Sequence, residues 1–518
     1  MSVFPFLSVL TAVPLIGALA ILGLGDKRRD RARILALVFS FVALALTLIL
    51  WHRFDSTSGE LQFQELHAWI PSLGAEYHLG IDGLGLVMLL LSALVVPMSI
   101  AASSQIRERE RLYFSLVLFL QAGLFGTFTA LNFFHWFIFW ELSLIPAFFL
   151  IRLWGGPRSA SAATQFFVYT MVGSVALLLA FLALFQCTGT FDFPRLSALA
   201  QSGQLVPAIA AHLAWHRFNP EQIALLIFGG TFLGFAVKVP ITPFHTWLPL
   251  TYAEAPTATT MLLTGAMSKM GVYGFLRIVL PIFFPQIRSV LTPLLWLAVL
   301  TIVLSAFAAL AQKDLKRIFA YSSINHLGYC VLGVFVAASL TGDAASLTAS
   351  KTAALDGVIL QIFNHGLTAS ALFWFVALLE ARSGGLRGLN DFGGLRRVIP
   401  IFTGLMGIAL FSSLGLPGLN GFIGEFLIFR GVFPLSTWAA SLALIGLLVT
   451  AIFILTILQR VFSGPLNERW SNMPDLTVTE RLAVSVPIGL MFALGIFPQL
   501  VLGIINSTVI RLVQQVRY

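Results

Sequence analysis

Residues 236–249 read AVKVPITPFHTWLP. Lys238 stands where an otherwise apolar run should be crossing a membrane, and Pro240 and Pro243 follow at once. Proline lacks the backbone donor and clashes with the preceding turn, so a helix must break or kink here. In a bilayer a broken helix survives only where protein or trapped water satisfies the freed carbonyls. A cation beside such a break, at membrane depth, marks a candidate functional site.

The composition supplies the membrane. Of 518 residues, 58% are apolar and 10% charged, against about 25% charged in a soluble domain. A spanning helix needs about 20 apolar residues, and about fourteen such runs can be read between polar breaks. No polar stretch is long enough to carry a soluble core. The expected fold is an all-α polytopic membrane protein of about fourteen transmembrane helices, with helices seven and twelve broken.

The net charge of +9 lies in short loops between spans, which excludes a nucleic-acid surface and leaves the lipid bilayer as the solvent. Lys and Arg mark cytoplasmic loops. Lys27, Arg28, Arg29, Arg31 and Arg33 follow the first apolar run at about 4–24. Every second loop is then basic, with Arg107, Arg109 and Arg111, then Arg152 and Arg158, then Lys313, Lys316 and Arg317, then Arg382, Arg387, Arg396 and Arg397, then Arg460 and Arg469. Alternate loops hold scattered charges such as Arg53, Arg195, Arg217 and Lys351. The pattern predicts a multi-pass protein of the cell inner (plasma) membrane with both termini outside. The first run lacks the basic segment of a cleaved signal peptide. Cys187 and Cys330 form no spacing motif and read as packing residues.

Along the chain, 52–81 and 187–220 read as polar outside loops, and Asp82 in GIDGLGLV (80–87) as a helix N-cap. The last span is expected at about 481–505. A second break is predicted by Gly415, Pro417, Gly418 and Gly421 in span twelve, with Glu425 just beyond it. Two breaks five helices apart point to repeats of odd length, which invert their topology. The expected division is 1–110 for spans one to three and 111–281 for a first repeat of spans four to eight. It continues with 289–460 for a second, inverted five-helix repeat and 461–518 for span fourteen.

Six ionisable residues fall within apolar runs, namely Glu141, Lys238, Lys269, His326, His365 and Glu425. Each costs roughly 2.5–3.5 kcal/mol at the bilayer centre by insertion scales. Glu141 reads either as an acid reaching the interface or, given its short stem among aromatic residues, as a buried one. Lys269 lies about fifteen residues into its span, among Gly265, Ala266, Ser268, Gly271 and Gly274. His326 and His365 each neighbour an asparagine, Asn325 and Asn364. Imidazole can pass a proton near neutral pH. The set reads as a proton relay in which Glu141 and Lys238 load and unload a proton, which passes through Lys269, His326 and His365 to Glu425. No G-x-G-x-x-G follows a strand and no cysteines cluster, so no cofactor is expected in this chain.

At these residues the chain resembles a known family. FWELSLIPAFFLIRLWGG (139–156), AVKVPITPFHTWLP (236–249), EAPTATTMLLTGAMSKMGVYG (254–274), FAYSSINHLGY (319–329) and the glutamate after LPGLNGFIG (416–424) occur in order. Together they resemble the subunit M family of proton-pumping NADH–quinone oxidoreductase, respiratory complex I. The resemblance spans about 80–460. It implies fourteen helices, two inverted repeats, one proton channel, and a role as one subunit of a translocase. NADH, flavin, iron–sulfur clusters and quinone would belong to partner subunits, among which are antiporter-like membrane neighbours. It also implies that Glu141 and Lys238 form the family's charge pair, that Lys269 is its central lysine, that His326 and His365 bridge, and that Glu425 is the exit-side acid. One departure stands out. The family's WLP-D/K-A-H becomes WLPLTYAEAP (247–256), with Leu250, Thr251 and Tyr252, which changes the cytoplasmic mouth. Two other classes share parts of the pattern, a sodium–proton antiporter subunit and the membrane part of a hydrogenase or carbon dioxide-hydrating complex.

Overall fold

The computed structural model describes residues 4–25, 31–213, 217–340 and 344–516. Lys27, Arg28 and Arg29 lie outside the described residues. Helices α1 (Phe6–Leu22) and α2 (Ala32–Arg53) come first. The segment expected as a loop at 52–81 is instead an antiparallel hairpin, β1 (Gln62–Ile70) and β2 (Ala75–Ile81). Glu65 on β1 turns inward and accepts from the Leu7 amide at 2.8 Å, at the start of α1. A helix start has free amides, and this carboxylate meets one of them.

Four spanning-length helices follow, α3 (Gly83–Ala102), α4 (Glu110–Thr129), α5 (Phe133–Trp154) and α6 (Ser159–Thr188). The expected loop at 187–220 carries two short helices, α7 (Phe193–Gln201) and α8 (Leu205–His212). Asp192 caps α7 through the Arg195 amide, a local signal within a polar stretch. Next is α9 (Pro220–Lys238), started by a capping box of Asn219 and Gln222 with proline at its first position.

The first break falls where the prolines demand it. Helix α9 stops at Lys238, and α10 (Trp247–Glu254) resumes after turns. The next span is not one α-helix. Segments α11 (Thr257–Leu262), α12 (Lys269–Gly274) and α13 (Leu280–Ile282) are joined by π-helical turns at Leu263–Met267 and Phe275–Val279. Such turns are rare and often occur at functional sites. The short α14 (Phe284–Ser289) leads into α15 (Leu291–Leu310), α16 (Leu315–Val336) and the 40-residue α17 (Ala344–Ser383). The second break separates α18 (Pro400–Leu414) from α19 (Asn420–Leu435). Gly415 ends α18 with φ +82°, a conformation that favours glycine.

The chain finishes with α20 (Thr437–Ile457), α21 (Val478–Ile496) and α22 (Gln499–Gln515). The expected last span at 481–505 is therefore corrected, because helical geometry stops before Pro498 and a separate helix follows. Helix α22 buries Val501, Ile505, Val509 and Leu512 and packs on α3 and α17.

Among the described residues, eleven helices are long and apolar enough to cross a membrane. Three expected spans fall outside that group. One is the short α1, one the run through α11–α13 that π turns divide, and one the α18/α19 pair that a break divides. Helix α17 is the axis of the bundle, packed against α3, α16, α19 and α22. Gly424 of α19 lies against Gln361 of α17, where an added Cβ would be 3.0 Å from that backbone. Large apolar side chains such as Leu48, Leu179, Leu448 and Leu482 remain exposed on the outer helices, as hydrocarbon requires.

Candidate functional site

The two breaks hold the site open to polar groups, and side chains complete the backbone bonding at each. At the first, the indole of Trp247 donates to the Val237 carbonyl at 3.0 Å, and the Thr242 amide donates to Thr301 Oγ1 at 2.9 Å. At the second, the Asn364 amide donates to the Asn420 carbonyl at 2.6 Å, and Asn420 returns a bond to the Asn364 carbonyl at 3.2 Å. Ser412 donates to the Asn420 side chain at 2.5 Å. Asn364 thus fastens α17 to the broken span. Asn325 donates to the Ile302 carbonyl at 2.8 Å and fastens α16 to α15. Both asparagines hold helices, and neither bridges the two histidines.

All six expected site residues lie within the helical bundle, but the structure divides them. Four are joined. Lys269 Nζ contacts His365 Nδ1 at 2.8 Å, donates to Ser268 Oγ at 3.3 Å, and donates to the Thr264 carbonyl that the π turn presents. The rings of His365 and His326 are 5.0 Å apart between centroids. His326 Nδ1 contacts Glu425 Oε1 at 2.8 Å, and Gln361 donates to the same oxygen at 3.2 Å. Ser413 lies 3.4 Å from His326 Nε2. Each of the four is buried.

Glu141 and Lys238 stand apart from that array. Among the described residues no hydrogen bond or ion pair joins them, although they lie within electrostatic reach. The Lys238 ammonium sits over the Trp140 ring, 4.7 Å from its centroid. A cation on an aromatic face keeps part of its electrostatic stabilisation without a carboxylate. One Glu141 oxygen, Oε1, is buried and without a hydrogen-bond partner. Gly271 packs on the backbone of Lys238 and Val239, so α12 rests against the end of α9. That contact puts the lysine-bearing segments of both spans side by side.

Several buried charges escaped the sequence reading. Asp82 does cap α3, accepting from the Gly85 amide at 3.1 Å, but it also takes two bonds from Arg277 at 2.7 and 2.5 Å. Arg277 lies in the π turn Phe275–Val279, beyond the stretch 254–274 in which the charges of this span are expected. Lys351, expected in an outside loop, is buried inside α17 because that helix begins earlier than its apolar run. On the basic-loop face, Lys316 is buried and donates to the Ala255 carbonyl at 2.6 Å. Buried Glu254 pairs with Arg158 at 3.1 Å, and Arg387 bonds Asp314 at 2.6 Å and Glu380 at 3.3 Å. Burial opposes the Arg387 charge, and Asp314 and Glu380 outweigh it, so its pKa is raised. An acid in the loop between the broken span and its successor was the available signal for this group, since Glu254 is the charge that loop carries where others are basic.

Among the described residues no cluster of His, Cys, Asp or Glu could hold a metal ion, and Cys187 and Cys330 are free and buried.

A bundle with two broken helices, a buried lysine–histidine–histidine–glutamate array and basic loops on one face defines a class of antiporter-like membrane subunit. Residues 130–452 match the model described as NADH:quinone oxidoreductase/Mrp antiporter, TM, and residues 33–127 match NADH-ubiquinone oxidoreductase chain 4, amino terminus. The chain belongs to this NADH:quinone oxidoreductase/Mrp antiporter family. Within it, the chain is 34% identical to NADH-quinone oxidoreductase subunit M of Rhodobacter capsulatus, covering 98% of this chain and 96% of that one. It is 36% identical to F(420)H(2) dehydrogenase subunit M of Methanosarcina mazei, over 97% of each. A chain of respiratory complex I from Thermus thermophilus with bound NADH superposes with a TM-score of 0.84 at 27% identity, covering 99% of this chain and 100% of that chain.

Proposed function

We propose that this chain is a proton-translocating membrane subunit of an NADH–quinone oxidoreductase, and that its protons move through Glu141, Lys238, Lys269, His365, His326 and Glu425. The observation that carries the reading is the continuous contact from Lys269 through the two histidines to Glu425. Lys269 with His365, and His326 with Glu425, are in hydrogen-bond reach, and the two imidazole rings are in contact, so a proton can be handed along without leaving a charge stranded in hydrocarbon. Glu141 and Lys238 act upstream as a pair that closes and opens. Closing favours the charged lysine; opening lets burial expel its proton. Flavin, iron–sulfur clusters and quinone belong to partner subunits, with antiporter-like chains as membrane neighbours and no redox site in this chain. The two breaks support a division into inverted repeats at 111–281 and 289–460, with the N-terminus on the outer face of the plasma membrane.

A second reading concerns the electron donor. The 36% identity to an F(420)H(2) dehydrogenase subunit favours a complex that oxidises a carrier other than NADH. One preparation addresses both readings. The complex is purified through a tag on this chain, its donors are assayed, and proton uptake is measured in vesicles with and without Lys269→Ala. We expect the variant complex to assemble and lose at least about 100-fold in proton translocation, the scale of a positioned acid–base group. Normal pumping by Lys269→Ala would overturn the relay. Inactivity with NADH alongside activity with another reduced carrier would transfer the proposal to the second donor.

A further inference from the structure

A groove of about 320 Å³ opens at the surface of the bundle between α18 and the end of α20, where the π turn Leu458–Phe462 forms one wall. Its floor is Thr403, Gly404, Gly407, Ile408 and Phe411, a spacing of three and four that stacks positions on one helix face. Arg396 stands at the entrance, on the basic-loop face. Among the described residues its guanidinium makes no hydrogen bond or ion pair. A second hollow, of about 560 Å³, meets the groove at Ser463 and carries Arg460 and Asn467.

Glycine inside a helix costs stability relative to alanine, and close packing is one reason to keep it, as at Gly424 against α17. Gly404 and Gly407 have no such neighbour, since an added Cβ at either meets nothing within 4 Å. The space above them is the groove itself. From Thr403 to Phe411 it runs about 12 Å at the rise of an α-helix. One leaflet, half of a hydrocarbon core of about 30 Å, has a similar depth. The groove therefore has the length of an acyl chain and a cation at its headgroup end. The start of α18 cannot serve as the anion site, because Asp475 already accepts from the Ile401 and Phe402 amides at 2.9 and 3.0 Å. The deep end, Phe411, adjoins the second break. The next residue, Ser412, bonds Asn420 at 2.5 Å, and Ser413 lies 3.4 Å from His326.

We propose that this groove holds one anionic phospholipid from the leaflet on the basic-loop face, with its phosphate on Arg396 and one acyl chain laid over Gly404 and Gly407 as far as Phe411. A guanidinium matches a phosphate with paired N–H donors and remains charged at any working pH. Basic residues beside a membrane favour anionic headgroups, and Arg460 in the adjoining hollow adds to that preference. The chain covers apolar surface that the two glycines leave open, so headgroup and tail are recognised by different parts of one site. Seated against Phe411, the lipid steadies the end of α18 and with it the serines that hold the second break. The binding claim is independent of the proton relay.

The test uses the whole complex in vesicles doped with phosphatidylglycerol or phosphatidylcholine, each carrying a photoactivatable group on one acyl chain. Cross-linked peptides are identified by mass spectrometry. Phosphatidylglycerol should label the segment 396–411 about fivefold more than phosphatidylcholine, the effect of one basic residue at an anionic headgroup. Arg396→Gln should abolish that preference and leave the segment open to both probes. Gly407→Leu fills the groove without meeting a neighbour, so the complex should assemble. Its labelling by either probe should fall about tenfold, the loss of roughly two methylenes of burial. Equal labelling by the two lipids in the unaltered complex would overturn the anionic assignment. Undiminished labelling in Gly407→Leu would overturn the groove. Absence of labelling in the assembled complex would mean that a neighbouring protein covers this face, and would overturn the lipid. None of these readouts requires pumping, so failure of the relay, seen as normal pumping in Lys269→Ala, remains a separate result.

Discussion

The two broken helices hold their charges in different ways. Beyond the second break Glu425 is engaged, 2.8 Å from His326 and 3.2 Å from Gln361, and contact continues to Lys269. At the first break Lys238 rests on Trp140, and a Glu141 oxygen has no partner. The second half is connected and the first is parted. A chain of contacts carries a proton wherever its ends are biased, whereas a parted pair can change state. In the proposed relay the two halves share a break, the connected one serving conduction and the parted one switching.

The sharpest way to break this comparison is to cut the connected half. His365→Ala and His326→Ala should each reduce proton translocation by about 100-fold. Because both stand in one series, the double variant should be little worse than either single one. Additive losses, measured as proton uptake per donor oxidised, would mean two parallel routes instead of one.

Changing the parted half should cost less. Glu141→Gln keeps shape and hydrogen bonding but removes the charge that biases Lys238. We expect about a tenfold loss in coupled turnover. The loss should be nearly absent when Lys238 is already replaced by methionine, since the pair acts as a unit. Independent effects in that double-variant cycle would separate the two residues functionally.

The smallest effect concerns the scaffold of the first break. Trp247→Phe removes the indole donor to the buried Val237 carbonyl. It should destabilise the assembled complex by about 1–3 kcal/mol, read as a lower midpoint of thermal unfolding, and shift activity only slightly. A large loss of pumping at unchanged stability would show that Trp247 contributes to the relay and not just to the break.

Much of this was legible in the chain because hydrocarbon is a strict solvent. Apolar run length gave the helices, and Pro240, Pro243, Pro417 and Gly415 gave the breaks, since their backbone effects are local. The six ionisable residues were conspicuous because charge in an apolar run is costly. The hairpin at 62–81 was not legible, because its short polar strands alternate weakly and depend on α1 to receive Glu65. The end of the last span was not legible, because α22 continues the apolar composition past Pro498.

The sequence by itself determined that this is a membrane bundle, where its helices break, and which residue types are buried there. Those are consequences of solvent and local backbone geometry. Tertiary structure alone decided which of those residues touch. It joined Lys269, His365, His326 and Glu425, and left Glu141 apart from Lys238. It paired Asp82 with Arg277 across 195 residues and gathered Glu254, Lys316, Glu380 and Arg387 around one cavity. Such contacts depend on how helices rotate and pack against one another, and a charge in a sequence carries no record of the partner that will face it.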